Sequence, residues 1–189
     1  YDIETWQQDL QKPYNTNLNI TPPYFNITNR STNIMRNAMN NHFWLGLLST
    51  FDYTINKAVT ISGGIDVRTY KGEHYREVAD LFGGKYYLDD GNQNEDNDTT
   101  KKYVGDKIGY HNDALVRWGG IFAMVKYQRG NLTTFLNLTG SVSGNKRVDY
   151  FLPHAPDEIA NETPWKYLPG FTVKGGANYN INETMNVFM

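Results

Sequence analysis

Residues whose spacing could do chemistry are sparse in this chain. The stretch Gly140-Ser141-Val142-Ser143-Gly144 has the glycines of a nucleophile elbow, but Val142 stands where the nucleophilic serine belongs. No GxG triplet occurs, so dinucleotide and P-loop fingerprints are excluded. Cysteine is absent, which removes disulfide scaffolds, CxxC redox centres and thiolate zinc sites. His74 and Glu77 stand three apart on a segment with helical apolar spacing, which would put two metal ligands on one helix face with no third in place. His42, His111 and His154 read as surface residues near strand or loop ends. Between residues 89 and 98, Asn92, Asn94 and the carboxylates Asp89, Asp90, Asp96 and Asp98 offer the oxygen ligands that calcium takes. An EF-hand register from Asp90 fails, because Glu95 falls where glycine is needed and Lys101 where the bidentate glutamate belongs. An irregular loop site for calcium stays open beside a plain solvated loop. Asn-x-Thr triplets at Asn26, Asn97, Asn131, Asn137 and Asn161 follow from an Asn-rich composition and carry no weight. Neither an enzyme nor a cofactor is expected.

Composition narrows the class further. The 189 residues carry 18 basic and 20 acidic side chains, a balance that argues against a nucleic-acid partner. No run of 18 apolar residues exists, so no transmembrane helix is expected. A membrane β-barrel stays open, because it needs apolar residues only at alternate positions. Aromatics at 14%, with 14 Tyr and 17 Gly, favour strands and tight turns.

The elements that would position any site are strands. From residue 59 to 70, Val59, Ile61, Ile65 and Val67 alternate with Thr60, Ser62, Asp66, Arg68 and Tyr70. Period-2 alternation of this kind predicts a strand with one apolar and one polar face. Residues 42–53 repeat it, with Phe43, Leu45, Leu47, Phe51 and Tyr53 opposite Trp44, Gly46, Thr50 and Asp52. So do 132–145 and 171–181, and, less cleanly, 117–127, where Phe122 and Met124 oppose Ile121, Ala123 and Val125. A sixth strand begins near Met185. Short connections at 54–57, 128–131 and 182–184 alternate with long ones at 71–115 and 146–168, and everything before Asn41 reads as another long segment. A short helix capped by Thr32 is expected through Ile34, Met35, Ala38 and Met39, and a second helix from Glu73 to Phe82. Residues 89–100 read as a mobile polar tip.

The fold class this predicts is all-β: an antiparallel up-and-down transmembrane β-barrel segment of about six strands, with short turns on one side and long loops on the other. Apolar faces of about ten residues match the ~9–11 that a tilted strand needs to cross a bilayer. Tyr53, Tyr127 and Tyr179 sit just before short turns, where an aromatic girdle would lie. With Phe43, Phe51 and Phe171 they form the expected membrane-interface set, and Tyr70, Phe151 and Trp165 are further belt candidates. Ligand-facing candidates are geometric: Asp66, Arg68, Asn137, Ser141, Lys174 and Asn178 on the polar faces. Trp118, Phe122, Trp165 and Tyr167, towards the loop end or lumen, could stack on a sugar or another flat ligand. A soluble β-sandwich, such as a carbohydrate-binding module, would show the same alternation, and so would a passive porin-like barrel.

The stretches SGGIDVRTYKGEHYREVADLFGG, WGGIFAMVKYQRGNLTTFLNLTGSVSGNKRVDYF and GFTVKGGANYNINETMNVF resemble the barrel domain of TonB-dependent outer-membrane receptors. The nearest likeness is to those of Bacteroidota, including SusC-like relatives, over about residues 31–189. The resemblance implies a barrel of about 22 strands filled by a plug. It implies energy-coupled import of a glycan, a siderophore or a similar nutrient in a Gram-negative outer membrane. Residues 1–189 are then expected to be a partial barrel domain of a larger receptor, without its plug, TonB box and remaining strands. Partners so implied are outer-membrane lipid, the TonB complex through the parent chain, a small-molecule or oligosaccharide ligand, and a surface lipoprotein as a lid.

Overall fold

The computed structural model describes residues 30–96 and 100–189, and these are all-β. Asn26, Asn97 and Asp98 lie outside the described residues, as does most of the segment before Asn41. In chain order the strands are β1 (Arg30–Ser31), β2 (Met35–Asn56), β3 (Val59–Asp80), β4 (Tyr86–Leu88), β5 (Lys101–Lys102), β6 (Lys107–Arg129), β7 (Leu132–Asp149), β8 (Asn161–Glu162), β9 (Lys166–Asn180) and β10 (Asn186–Phe188). The main sheet has the order β10-β9-β7-β6-β3-β2, with β8 pairing β7, and a small sheet has the order β1-β4-β5. The chain forms two compact units. Of the described residues, one comprises 30–42, 72–96, 100–114 and 147–163, the other 43–71, 115–146 and 164–189.

The first unit holds the buried hydrophobic core. Val78, Leu81 and Ile108 pack together with Ile34 and Tyr87, and Val148, Phe151 and Ala160 are buried as well. Fully buried Ser31 donates through Oγ to the Leu81 carbonyl at 2.6 Å. Both expected helices are absent: β2 starts at Met35 and β3 runs on to Asp80. The cause is cross-strand pairing. Asn37 donates to Glu77, Asn41 donates to Glu73, and Asn40 bonds His74. The two residue numbers have the same sum in each pair, which marks one antiparallel ladder. Side-chain pairs between strands of this kind outweigh a weak local helical pattern. In a strand, His74 and Glu77 point to opposite faces, so they form no ligand pair.

Residues 89–96 of the acidic tip are tied down rather than loose. Asn94 Nδ2 donates to the carbonyls of Tyr150 (3.3 Å) and Leu152 (2.9 Å), while its Oδ1 accepts from the His154 amide at 3.1 Å. The Gln93 amide donates to the Phe151 carbonyl at 2.9 Å. A polar stretch without apolar residues is held here by backbone groups of a distant loop. Phe151 is thereby buried, which removes it from the expected aromatic belt.

The second unit is a curled half-barrel sheet of up-and-down antiparallel strands, with β2 and β10 at its edges. Two-residue turns at Lys57-Ala58 and Gly130-Asn131 join β2 to β3 and β6 to β7. Asn56 Oδ1 accepts from the Ala58 and Val59 amides, and Gly130 takes the positive φ (56°) that the second turn requires. Between β7 and β9 the register sets Leu132 opposite Tyr179, Leu136 opposite Gly175, Leu138 opposite Val173 and Val142 opposite Pro169 on one face. Asn137 opposite Lys174 and Thr133 opposite Asn178 occupy the other. The only buried positions in this unit are Gly63 and Gly144, and the apolar face stands open: Leu47 is 62% exposed and Phe171 87%.

Asn94→Ala deletes three hydrogen bonds to backbone, each contributing roughly 0.5–1.5 kcal/mol. Amide exchange at Gln93 and His154 should accelerate at least tenfold in the full-length product. Unchanged exchange at both amides would show that the tip is not held by this side chain.

Candidate functional site

The densest arrangement on the polar face of the second unit is built around Arg68 of β3. Asp66, two residues back and therefore on the same face, accepts from the guanidinium in a bidentate pair, with Nε to Oδ1 at 2.7 Å. The guanidinium carbon lies 5.4 Å from the ring centroid of Trp44 on β2 and 5.4 Å from that of Trp118 on β6. Arg68 is thus flanked by an indole on each neighbouring strand, within the ~6 Å at which a cation is drawn to an aromatic face.

Glycines make the space. A Cβ on Gly46 would come within 3.3 Å of Arg68 Cγ, and one on Gly120 would overlap the Trp118 indole at about 2.5 Å. Trp118 accordingly lies back along its own strand over Gly120. Tyr70 and Val116 complete a shallow hollow of about 290 Å³ with Trp44, Arg68 and Trp118. Asp66 occupies one edge of the guanidinium; the rest of that group and the indole edges line the hollow. The arrangement can stack on a flat or ring-shaped ligand and donate hydrogen bonds to its oxygens.

Of the residues expected at a site, Asp66, Arg68 and Trp118 come together here. Trp44 joins them, and it carried no signal beyond its alternation with Phe43 and Leu45. Phe122 lies on the same face, its ring over Gly64, where a Cβ would sit 2.8 Å from it. Asn137 and Lys174 face each other on one rung of the polar face and Asn178 lies on another; Asn137 accepts from Thr139 and Asn178 donates to Asn180. Trp165 and Tyr167 stack on one another at 6.2 Å over Gly144, on the apolar face with Val142 and Leu138. Among the interface aromatics, Phe43, Phe51, Tyr53, Phe171 and Tyr179 are exposed, with Phe51 lying over Gly63, and Tyr127 is half-buried.

A second cluster lies in the first unit. His111, expected at the surface, is largely enclosed. It stacks on Tyr150 at 4.1 Å, meets Tyr75 and Phe151 edge-on, and its Nε2 is 2.8 Å from Lys107 Nζ and 3.2 Å from Glu73 Oε1. Lys107 Nζ also donates to Glu73 Oε1 at 3.1 Å, and Tyr150 donates its hydroxyl to buried Asp113 at 2.9 Å. Glu73, His111 and Asp113 could each turn a ligand atom to one point, but the Lys107 ammonium already serves as cation to two of them. Among the described residues the acidic tip gathers no three carboxylates for calcium, and Asp89 is committed to the Gly91 and Gly109 amides.

Charge in this cluster has clear directions. Hydrogen bonds from Lys107, and then from Asn41, hold Glu73 down to about 2. Burial, and next the Lys107 charge, push His111 below its usual value, with Glu73 and Asp113 pulling the other way.

Compared with protein-family models, curated proteins and solved structures, the chain matches none.

Arg68→Met removes the cation between the two indoles. Acrylamide quenching of tryptophan emission in the full-length protein should then rise; quenching equal to wild type would show that the indoles do not depend on Arg68. Acidification tests the second cluster. Both folded-state values are depressed, so the stability each contributes is present above its unfolded value and lost as pH falls. Exchange protection of residues 107–113, corrected for intrinsic rates, should weaken first as pH drops below about 6.5, through His111. A second loss follows between about 4.5 and 2, through Glu73. His111→Gln should abolish the first step alone; if both steps persist in that variant, the assignment is wrong.

Proposed function

We propose that this chain is part of the wall of a TonB-dependent receptor in a Gram-negative outer membrane, importing a nutrient such as a glycan or siderophore. The observation that carries the reading is the open apolar face of the half-barrel sheet. Phe43, Leu45, Leu47, Phe51, Ile65, Val67, Ile121, Leu138, Phe171 and Val173 are all exposed, and no side chain of that unit is fully buried. Each such residue forfeits roughly 1.5–3 kcal/mol when left in water, against a net stability of about 5–15 kcal/mol for a whole domain. Ten of them on one face demand an apolar surrounding. No helix among the described residues is long and apolar enough to cross a membrane, so strands are the crossing elements in this reading.

The polar face supports the import half of the proposal. It carries Asp66, Arg68, Asn137 and Lys174, charged and amide groups that a water-filled or plugged lumen solvates. The Trp44–Arg68–Trp118 hollow is the ligand-contact candidate within it. Chemistry is not assigned to the chain. Energy coupling, the plug, the TonB complex and a lipoprotein lid rest on the resemblance of the three quoted stretches, and they would belong to the full-length receptor.

The full-length product should fractionate with the outer membrane, require detergent for extraction and migrate faster on a gel when unheated than when boiled. Recovery as a soluble species with no mobility shift would overturn the membrane reading in favour of a sandwich module. A detergent-dependent, heat-modifiable product with no proteolytically separable plug would replace the receptor with a passive porin.

A further inference from the structure

The apolar face of the half-barrel sheet is not evenly covered. On β6 and β7, three positions of that face are glycine: Gly119, Gly140 and Gly144. A Cβ on Gly119 would meet nothing within 4 Å, and one on Gly140 would meet only Ile121 Cγ1, at 3.9 Å. The bare backbone at Gly119 leaves a groove of about 640 Å³ with Leu45, Leu47, Val67, Val142 and Tyr167 along it, the Tyr167 ring lying over Gly144. A second hollow, about 420 Å³, follows on the same strands around Gly140, between Ile121, Leu138, Phe171 and Val173. From Gly144 to Leu138 the two together run six residues along β7, roughly 20 Å of strand. At a tilt of about 45° that is ~14 Å along the bilayer normal, close to one leaflet of a ~30 Å hydrocarbon core.

Two cations border the trough, Arg68, which is paired with Asp66 on the polar face, and Arg117 at one end. Arg117 lines the groove, and its guanidinium carbon lies 4.4 Å from the Trp165 ring centroid, beside Tyr167. Among the described residues it forms no ion pair. An arginine laid on an indole, with a tyrosine next to it, is a set of groups suited to the headgroup level, and a planar guanidinium pairs with phosphate in bidentate fashion. A cationic end and an apolar trough one leaflet long together describe an amphiphile carrying a phosphate.

We propose that the groove holds one acyl chain of a phosphate-bearing lipid of the surrounding leaflet, with the lipid phosphate on Arg117. The proposal rests on reading the sheet as a barrel wall. Val67 and Val142 flank the chain, Gly119 and Gly140 provide its floor, and Trp165 fixes the arginine that receives the headgroup.

The test is native mass spectrometry of the detergent-extracted full-length protein after addition of dioleoylphosphatidylglycerol. Dioleoylglycerol and inorganic phosphate serve as probes lacking the headgroup and the chain, respectively. Wild type should retain the phosphatidylglycerol at least tenfold better than either probe. Arg117→Gln should lower that retention about tenfold, and Gly119→Leu, which fills the groove from an unobstructed position, should lower it comparably. Heat-modifiable mobility reports whether each variant still forms a barrel. Retention equal to wild type in Arg117→Gln, or in a heat-modifiable Gly119→Leu, would overturn the proposal. So would retention of dioleoylglycerol as strong as that of the phospholipid. Failure of the barrel reading itself would look different, as a soluble product without any mobility shift.

Discussion

The fold turns on a sheet face that the described residues leave uncovered. Alternation along five long strands sorts most of the Leu, Ile and Val to one side of the second unit, and among the described residues no second layer packs there. Soluble domains bury such a face against another element, because the lost burial would exceed their whole net stability. Here the buried hydrophobic side chains, among them Val78, Leu81, Ile108 and Val148, belong to the other unit. The division has a simple physical source. The strand ends in the first unit share buried partners with the loops between them, which also satisfy the loops' polar groups, whereas the strand segments of the second unit carry one polar and one apolar face.

Within the sheet, glycines decide where large side chains can lie. Gly46 and Gly120 accommodate Arg68 and Trp118, Gly64 lies under Phe122, Gly63 under Phe51 and Gly144 under Tyr167. The cross-strand pairs set a ring, or the aliphatic stem of Arg68, against a neighbouring backbone, an arrangement that pins register and adds contact where glycine offers none of its own. The same device therefore serves both faces. On the polar side it brings two indoles to one arginine; on the apolar side it leaves Gly119 and Gly140 without a covering ring.

The sequence shows the strands because alternation is a local signal. It shows the short turns for the same reason, since Asn56 and Gly130 act within a few residues of themselves. The extra length of β2 and β3 is not visible in this way. It depends on Asn37, Asn40 and Asn41 meeting Glu77, His74 and Glu73, and each partner alone is an ordinary polar residue. Local spacing of Tyr75, Val78, Ala79 and Phe82 points instead to a helix, and the ladder prevails over it. His111 escapes notice likewise: its enclosure comes from Tyr150 and Phe151, about forty residues on. Asp66, Arg68 and Trp118 are legible as members of a polar face, whereas their convergence needs the pairing of β3 with β6. Placing Tyr167 on the apolar side needs the β7–β9 register, because a slip of one residue would turn it to the other face.

Arg68 and Arg117 of the half-barrel sheet show how environment divides one residue type into different tasks. Arg68 is neutralised by Asp66 and braced by indoles on both sides, so its charge is compensated before any ligand arrives. Such a group suits orientation and stacking of a neutral or weakly charged ring, because a strong anion would have to compete with the carboxylate already in place. Arg117 has an aromatic face but no carboxylate, and it borders an apolar groove. An uncompensated guanidinium beside an apolar groove is costly unless an anion or water reaches it. The contrast follows from one carboxylate: Asp66 shares a face and a strand with Arg68, whereas Gly119, two residues after Arg117 on its strand and face, carries no side chain at all.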